Sequence, residues 1–442
     1  MLLREDPDGS PPSFGALFHE RSLGDYAPYV GRSRLEELLA LAEPLAGCRW
    51  THLNSTYVGG GVAEILRSLV PLARALGIDC RWAVIEGHNG FFAVTKKFHN
   101  MLQGIEQPLS LDEIFDCYLG TIEENARRLE LDADLVVVHD PQPAAIVAQG
   151  ILPPRALWRC HIDTSAPNPI LWRFLLPYIN QFAGAIFTMP EFVAPGLRVP
   201  VYELSPCIDP LAEKNRPYLR SEALDVLAPL FHAHNVDPER PLVVAISRYD
   251  VHKNQSRILQ AFLRLRAEGR LSPPPYLIFV GNSATDDPEG MQVYASLVDQ
   301  VGDDPDVRLW LNVPDNDRVV GALMRLASVF VHVSTREGFG LVVSEALWQG
   351  TPVVGSRVGG IVKQVRDGET GFLVDPKNVD EIARRIGDLL ADPDRARAMG
   401  ERGREHVRTH FLLPELLRRY LLLLRHLLGI DPEPPPFRIA PA

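Results

Sequence analysis

The sequence has few of the features that mark disulfide frameworks, zinc sites or nucleic-acid binding. Its 442 residues include only five cysteines, an odd number, and none of them stands in a CxxC pair. This pattern predicts reduced, structural cysteines and neither a disulfide framework nor a zinc site. Excess positive charge is also lacking, since the formal net charge is −11. A general nucleic-acid binder is therefore excluded, because nonspecific affinity for phosphate backbones depends on lysine and arginine.

Long apolar runs are equally scarce. The amino-terminal residues MLLREDPDGSPPSFG turn acidic and proline-rich and lack the apolar segment, about 7–15 residues long, of a signal peptide. The most apolar late stretch is LLPELLRRYLLLLRHLLG, which Arg418, Arg419 and Arg425 interrupt. Charges at this density are rare in a membrane span, so an amphipathic helix packed on the protein is predicted. We therefore expect no stable membrane insertion and a cytoplasmic protein.

What the sequence does contain, almost from end to end, is short β-branched runs that alternate with helical patterns. Such alternation is typical of βαβ units and parallel sheets, and it predicts the α/β class. Residues 203–215 are rich in proline and polar residues and lack periodicity, which predicts a connection between two domains. The predicted strands form one series before this connection and one after it: 48–55, 81–86, 134–140, 156–163 and 185–189, then 241–247, 276–281, 307–312, 329–334, 351–356 and 371–375.

The segment EGFGLVVSE joins a predicted strand to a predicted helix through a loop that contains Gly338 and Gly340. Glycines let the backbone approach a ligand closely, and the N–H groups of a first helical turn attract anions such as a diphosphate. Glu337 precedes the helix and Glu345 lies about two turns into it, so each carboxylate could accept sugar hydroxyls. The residues alone leave an alternative, in which Glu337 favours the helix dipole and Glu345 is a solvated helix residue.

Two cations follow another predicted strand, in the segment AISRYDVHKNQSRIL. Arg248 stands at the end of the strand, and Lys253 lies in the loop that opens the next helix. Ligands of open α/β sheets bind at the carboxyl ends of strands. Two cations placed there could neutralise the charge that develops on a leaving diphosphate. The alternative is a pair of ordinary surface cations.

The amino-terminal half has polar breaks directly after apolar strands, in VHDPQP and WRCHIDTS. Asp140 and His161 therefore fall at positions that favour ligand contact, while structural histidines are the alternative for His139 and His161. The run from Gly59 to Gly61 follows the first strand. It would let backbone N–H groups approach a phosphate or an acceptor, or it would simply allow a tight turn into the helix.

EGFGLVVSE and SRYDVHKN are similar to signature segments of the retaining GT-B glycosyltransferases. The resemblance implies two Rossmann-like, doubly wound domains that face a central cleft, with a carboxyl-terminal helix packed back on the amino-terminal domain. It places an acceptor-side domain at residues 1–208, joined by residues 415–442, and a nucleotide-sugar-binding domain at residues 209–414. Glu337 would hold hydroxyls of the donor hexose, and Glu345 would hold the nucleotide ribose. The other donor-binding residues implied beside the cations are Gly60, Gly61, Gly338, Phe339, Gly340 and Leu341.

The same resemblance implies roles for four further side chains. Arg248 and Lys253 would clamp the diphosphate, so that no metal ion or other cofactor is required. His161 would contact the donor hexose. Asp140 would contact an acceptor hydroxyl, which it could orient or deprotonate, and the sequence does not decide between these two roles. In this family the departing phosphate oxygen is usually inferred to take the acceptor proton.

Longer segments carry a closer resemblance. HLNSTYVGGGVAEILRSLVPLARALGIDCRWAVIEG and FFAVTKKFHNMLQG are similar to the amino-terminal half of the trehalose glycosyltransferring synthases, and the likeness continues through HIDTS and CIDPLAEKN. It implies a retaining glucosyltransferase that moves glucose from a nucleotide-diphosphate glucose, such as UDP-glucose or ADP-glucose, to glucose and forms trehalose. The reaction could run in either direction.

Other functions stay open at the level of sequence. Fungal trehalose phosphorylases share much of the pattern, and a transferase with another small acceptor would too. A GT-B nucleotide-sugar epimerase and a noncatalytic nucleotide-sugar binder are weaker alternatives. The expected partners are nucleotide-diphosphate glucose, glucose or trehalose, and no nucleic acid. A homodimer is compatible with the sequence, which determines neither the oligomeric state nor the nucleotide base.

Overall fold

In a computed structural model, the described part of the chain comprises residues 18, 21–269, 271–282 and 288–439. The amino-terminal segment 1–17, which carries the expectation about a signal peptide, lies outside these residues. The chain divides into two compact units, one that ends at Cys207 and resumes at Leu413, and one that spans Ile208–Leu412. These bounds lie within two residues of the expected 208/209 and 414/415. No helix in the described ranges is long and apolar enough to cross a membrane.

Thirteen strands are present in the described residues, and each of the eleven predicted runs overlaps one of them. Two short strands, β6 and β13, were not predicted. The strands are β1 Arg49–Asn54, β2 Asp79–Val84, β3 Leu135–His139, β4 Ala156–Arg159, β5 Gly184–Phe187, β6 Val201–Glu203, β7 Leu242–Ile246, β8 Tyr276–Gly281, β9 Val307–Leu311, β10 Val329–His332, β11 Val353–Ser356, β12 Gly371–Val374 and β13 Arg438–Ile439.

Helices connect the strands, so the alternation expected from the sequence is confirmed. The helices are α1 Ala27–Val30, α2 Arg32–Ala42, α3 Gly60–Ala75, α4 Asn89–Leu102, α5 Gly120–Arg128, α6 Pro169–Ile179, α7 Arg220–Ala233, α8 Gln255–Ala267, α9 Pro288–Val301, α10 Asn316–Leu326, α11 Leu341–Trp348, α12 Ile361–Gln364, α13 Val379–Ala391, α14 Pro393–His410 and α15 Leu413–Leu427.

The amino-terminal unit contains a seven-stranded sheet in the order β13-β6-β5-β4-β3-β1-β2. Strands β1 to β6 run parallel, and β13 pairs antiparallel with β6 at the edge. The chain moves outward from β1 to β2 and then returns to the other side of β1 to form β3. The sheet therefore has its topological switch point at the carboxyl ends of β1 and β3, where open α/β sheets bind ligands.

The carboxyl-terminal unit contains a six-stranded parallel sheet in the order β12-β11-β10-β7-β8-β9. Here the strand order reverses between β7 and β10. Every residue of these two strands is buried, as expected of parallel strands covered on both faces. The segments that follow β7 and β10 are those that carry Arg248, Lys253 and Glu337.

The last helix, α15, packs within the amino-terminal unit, as the sequence predicts. It lies against α2 and α3, and its buried face includes Leu416, Tyr420 and Leu424. Two of the arginines that interrupt the apolar stretch form ion pairs within this unit: Arg418 contacts Glu37 across the α2 packing, and Arg425 contacts Asp431. The helix is therefore amphipathic, with its charged side chains satisfied at the rim of an apolar contact.

Candidate active site

The switch point of the carboxyl-terminal sheet brings together residues that are 84 positions apart in the sequence. Lys253 follows β7 and Glu337 follows β10, and the Lys253 Nζ atom lies 2.7 Å from Glu337 Oε2. Both side chains are largely buried, with 18% and 11% of their surface exposed. The two segments that the sequence assigned to a common site therefore meet directly.

Two further donors converge on the same carboxylate oxygen. His332 Nε2 lies 2.8 Å from Glu337 Oε2, and the Ser334 hydroxyl donates to that oxygen at 3.3 Å. Because a carboxylate only accepts, His332 must carry its proton on Nε2. Sequence reasoning missed both residues, although His332 ends the strand that leads into the EGFG loop and Ser334 follows two positions later.

The charge state of this group follows from its surroundings. Burial alone would raise the pKa of Glu337, but the charge of Lys253 and the hydrogen bond from His332 outweigh it and hold the pKa well below its usual range. Burial lowers the pKa of His332, so this ring is neutral at pH 7. Glu337 is therefore a fixed carboxylate in a largely buried position.

The second oxygen of Glu337 is the one that can meet a ligand. No residue in the described part of the chain hydrogen-bonds to Oε1. With Oε2 held by three donors, the orientation of the carboxylate is fixed and Oε1 keeps its acceptor capacity. Such an arrangement suits the binding of uncharged hydroxyl groups.

The helix that follows the loop has an open amino terminus. Helix α11 begins at Leu341, and Gly340 precedes it with φ +77° and no capping side chain. A side chain at this φ would be strained, and its Cβ would crowd the Glu337 side chain. The N–H groups of the first turn therefore have no side-chain cap and can attract an anion.

Phe339 can contact a ligand only through its backbone. Its side chain is 5% exposed and packs against Phe411, with ring centroids 5.6 Å apart. The Phe339 carbonyl accepts a hydrogen bond from Gln364. Gly359 and Gly360 lie against the other side of the loop, where a Cβ would overlap its backbone. The glycine pair therefore lets the two backbone segments pack closely. Sequence reasoning missed this role, although a Gly-Gly dipeptide is itself a signal of close backbone approach.

Glu345 is not a solvated helix residue, so that alternative is wrong. It is 3% exposed, and Lys214 Nζ lies 2.6 Å from its Oε1. A buried carboxylate is tolerated when an opposite charge compensates it. Lys214 comes from the proline-rich segment between the strand series, and nothing in its local sequence distinguishes it from a surface lysine.

Arg248 differs from Lys253. Its side chain is exposed and forms no hydrogen bond or ion pair with any residue that the structure describes. Its carbonyl accepts from Gln255 at 2.9 Å, which anchors the backbone of the segment. The cation is therefore held on a fixed backbone with its charge uncompensated, while Lys253 is already paired with Glu337.

At the switch point of the amino-terminal sheet, Asp140 has an unusual backbone. Its φ is +63°, a conformation that costs energy for a non-glycine residue and is frequent at functional sites. Its Oδ1 accepts from the His161 N–H at 2.8 Å. Desolvation raises the pKa of Asp140 to about 7, against the opposing effects of this hydrogen bond and the charge of Arg159. Asp140 is thus poised between its two protonation states near neutral pH.

His161 belongs to a chain of three histidines. His139 Nδ1 lies 3.0 Å from His161 Nε2, and His52 Nδ1 lies 2.9 Å from His139 Nε2. Burial lowers the pKa of all three rings well below the usual value, so they are neutral at pH 7. The alternative of a structural histidine fits His139, which is 2% exposed. His161 is only partly buried.

The glycine run lies at the same edge. Gly60 and Gly61 open helix α3, Gly59 precedes it with φ +76°, and the helix has no side-chain cap. All three glycines are exposed. They therefore fit both of the interpretations given above, a tight turn and an accessible set of N–H groups. In the described ranges, no cluster of three or more His, Cys, Asp or Glu side chains could hold a metal ion.

Comparison with known proteins places this chain in a family. Residues 52–194 match the family model described as "Trehalose synthase, N-terminal domain", and residues 229–406 match "Glycosyl transferases group 1". The chain is 41% identical to a trehalose synthase of Pyrococcus horikoshii in an alignment of 413 residues. This alignment covers 93% of this chain and 97% of that protein. It is 28% identical to a trehalose phosphorylase of Pleurotus pulmonarius over 87% of this chain and 58% of that protein.

Solved structures agree on the fold. An α,α-trehalose-phosphate synthase (UDP-forming) from Burkholderia xenovorans, in complex with glucose-6-phosphate, aligns with a TM-score of 0.67 at 15% identity over 86% of this chain and 100% of that chain. The expected GT-B class, with two parallel-sheet α/β domains, is confirmed. Because a close relative matches over nearly its full length, this chain is an enzyme that belongs to the trehalose synthase family of glycosyltransferases.

Proposed function

We propose that this enzyme transfers glucose from a nucleotide-diphosphate glucose to glucose, with retention of the anomeric configuration, and so forms trehalose. The observation that carries the proposal is the Glu337 group, in which one carboxylate oxygen is held by three donors and the other remains for a ligand. It lies in the loop before an uncapped helix terminus. The family relationship to trehalose synthases supports the choice of sugar.

The donor binds at the carboxyl-terminal unit. Glu337 Oε1 accepts hexose hydroxyls, together with the loop backbone at Gly338 and Gly340. The diphosphate meets the N–H groups at Leu341 and the exposed charge of Arg248. Lys253 supplies a second cation beside it. Glu345 accepts the ribose hydroxyls, and its ion pair with Lys214 keeps this buried carboxylate compensated.

The chemistry requires positioning and charge stabilisation. The bond between the glucose C1 atom and the diphosphate oxygen breaks, a bond from C1 to the acceptor hydroxyl oxygen forms on the same face, and the departing phosphate oxygen takes the acceptor proton. Arg248 and Lys253 stabilise the negative charge that grows on the diphosphate. These cations and the helix terminus provide that charge within the protein, so we propose that catalysis needs no metal ion.

The amino-terminal unit supplies the groups that meet the acceptor sugar. Asp140 Oδ1 is held by the His161 N–H, which leaves Oδ2 to accept from the acceptor hydroxyl. The Asp140 pKa of about 7 is still far below that of a sugar hydroxyl, so the carboxylate can orient the hydroxyl without removing its proton. The departing phosphate remains the group that receives the proton.

Product analysis tests the proposal. Purified protein is incubated with ADP-glucose, UDP-glucose and GDP-glucose in turn, each with glucose, and separately with trehalose and each nucleoside diphosphate. Mass spectrometry and NMR identify the products and their anomeric configuration. We expect α,α-trehalose in the forward reaction and nucleotide-diphosphate glucose in the reverse one. A product of inverted configuration, or no transfer from any donor, would contradict the proposal.

A trehalose phosphorylase is the second candidate, favoured by the match to the Pleurotus enzyme. Its support is weaker, because this chain spans 58% of that protein's length. A phosphorylase would bind inorganic phosphate in place of the nucleotide diphosphate and would leave Glu345 without a ribose. Formation of glucose 1-phosphate from trehalose and phosphate, without nucleotide, would establish this alternative.

A further inference from the structure

A row of polar side chains lies on one face of the amino-terminal sheet, beneath helix α15. In parallel strands, paired residues and residues two apart point to the same face. His52 pairs with Val137, and His139 pairs with Arg159, so His52, His139 and Arg159 share that face. Tyr420 of α15 covers it, with its ring 5.7 Å from that of His52, and accepts a hydrogen bond from Arg159.

At the buried end of the row lie side-chain atoms that have no hydrogen-bond partner in the described part of the chain. Among the described residues, no hydrogen-bond partner exists for Trp50 Nε1, His52 Nε2 or Arg159 Nη2. All three side chains pack around the Tyr420 ring: the Trp50 ring centroid lies 4.9 Å away, that of His52 5.7 Å, and the Arg159 guanidinium carbon 5.2 Å. The tryptophan and arginine atoms can only donate, whereas the histidine nitrogen can do either.

The other end of the row reaches the carboxyl edge of the sheet. His161 Nε2 is bonded to His139, while its Nδ1 forms no hydrogen bond with any described residue and is not enclosed. Because each neutral imidazole carries one proton, the three rings must donate in the same direction along the chain. The direction therefore determines whether His161 Nδ1 is a donor or an acceptor.

The unpartnered groups distinguish the two directions. If the protons ran from His161 toward His52, the side chains packed around the Tyr420 ring would carry a His52 N–H besides two other unpartnered donors, one of them on a positively charged group. In the opposite direction His52 Nε2 presents a lone pair to these donors, directly or through one bridging water that accepts from Trp50 and Arg159. The second arrangement satisfies more of the buried polar atoms and avoids repulsion with the guanidinium.

We infer that Arg159, acting through His52 and His139, fixes His161 as the tautomer that carries its proton on Nδ1, so that this ring donates a hydrogen bond to a sugar hydroxyl. His52, His139 and Arg159 are thus positioning residues, and His161 is the group that meets the substrate. This inference rests on the proposed function for the identity of the ligand only. The tautomer itself can be measured without substrate.

The first test is NMR of the full-length protein labelled with nitrogen-15 at histidine, since protonated and bare ring nitrogens resonate in separate regions. His52→Gln, His139→Gln and His161→Gln assign the signals by their loss. We expect the proton on Nδ1 in all three rings at pH 7.5. A proton on Nε2 of His161, or an imidazolium at any of the three, would overturn the inference whatever the enzyme's activity proves to be.

The second test compares two substitutions at His139. An asparagine nitrogen can take the place of histidine Nδ1, so His139→Asn keeps a donor to His161, whereas His139→Leu fills the buried space without one. We expect kcat to fall about tenfold or more in His139→Leu and to be largely retained in His139→Asn. A purely structural role predicts that activity follows thermal stability in the two variants. Retention of activity in His139→Leu with loss in His139→Asn would contradict the inference.

Discussion

The two sheets place very different groups at their switch points. At the carboxyl-terminal sheet, Lys253 and Glu337 form a largely buried ion pair with two further donors on the same oxygen. At the amino-terminal sheet, the polar groups are neutral histidines and Asp140, whose pKa lies at about 7. One edge carries fixed charges at neutral pH, and the other carries polar groups that are uncharged or easily become so.

This difference matches the two kinds of ligand in the proposed reaction. A nucleotide diphosphate brings negative charge, which an open helix terminus and the cations Arg248 and Lys253 can compensate. A sugar acceptor brings only hydroxyl groups, for which neutral donors and acceptors suffice. Two sheets that each reverse their strand order beside their first strand can therefore divide the substrates by charge.

Removal of Lys253 should give the largest effect. Lys253→Ala deletes a cation and leaves Glu337 buried without it, so we expect kcat/KM to fall about 10²-fold or more and the free energy of unfolding to fall by about 3 kcal/mol. Steady-state kinetics and chemical denaturation measure the two effects. Arg264→Ala is the matched control, because it breaks an exposed ion pair with Asp380 in the same unit. Equal effects in the two variants would contradict the assignment.

Substitution of the two glutamates should impair different properties of the enzyme. Glu337→Gln weakens contacts to hexose hydroxyls that tighten in the transition state, so kcat should fall while affinity for the free nucleoside diphosphate stays nearly unchanged. Glu345→Gln should weaken that affinity about ten- to hundredfold, equivalent to roughly 1–3 kcal/mol. Calorimetry with the nucleoside diphosphate separates the cases. If both variants bind and turn over like the wild type, neither glutamate contacts the donor.

Asp140 should give a smaller, pH-dependent effect. Burial raises its pKa from 3.8 to about 7, so kcat/KM of the wild type should fall as the pH drops through about 7 and the carboxylate is protonated. Asp140→Asn should be less active above pH 7 and lack this step. A wild-type profile that stays flat between pH 5.5 and pH 8, with Asp140 intact, would contradict the role.

The raised pKa of Asp140 also predicts that stability depends on pH. Because the folded-state pKa is raised, the folded protein gains stability from protonation of Asp140, and this contribution is lost as the pH rises through about 7. Asparagine keeps the acceptor for the His161 N–H and does not titrate. The Tm of Asp140→Asn relative to the wild type should therefore rise between pH 5 and pH 8. A constant difference in Tm would show that Asp140 does not titrate in this range.

A chelator should have the smallest effect. If protein cations and helix N–H groups stabilise the diphosphate, activity in excess EDTA should remain close to that of the untreated enzyme, apart from modest modulation by divalent ions. The control is the same enzyme with Mg²⁺ or Mn²⁺ restored. Complete loss of activity in EDTA, followed by recovery with either ion, would overturn the metal-independent mechanism.

Sequence predicted the strands and the two loops well because their signals are local. The β-branched runs define strands such as β3 and β7, and the glycines before α11 are a local signal of a loop whose backbone can be approached closely. The segment at β6 spans three residues, and β13 spans two, too few for any periodicity. The register between β1, β3 and β4 is not a local property, so the contacts among His52, His139 and His161 could not be predicted. Lys214 was missed for the same reason, since only the fold brings it to Glu345.

The division of ligands by charge can be tested most directly by calorimetry with the nucleoside diphosphate that supports turnover. Arg248 is exposed and unpaired among the described residues, so Arg248→Ala should leave stability unchanged. We expect this variant to raise the Kd about tenfold or more, whereas Asp140→Asn at the other sheet should leave the Kd within about twofold of the wild type. Equal affinity in all three proteins, or weaker binding only in Asp140→Asn, would contradict the assignment of the diphosphate to the carboxyl-terminal unit.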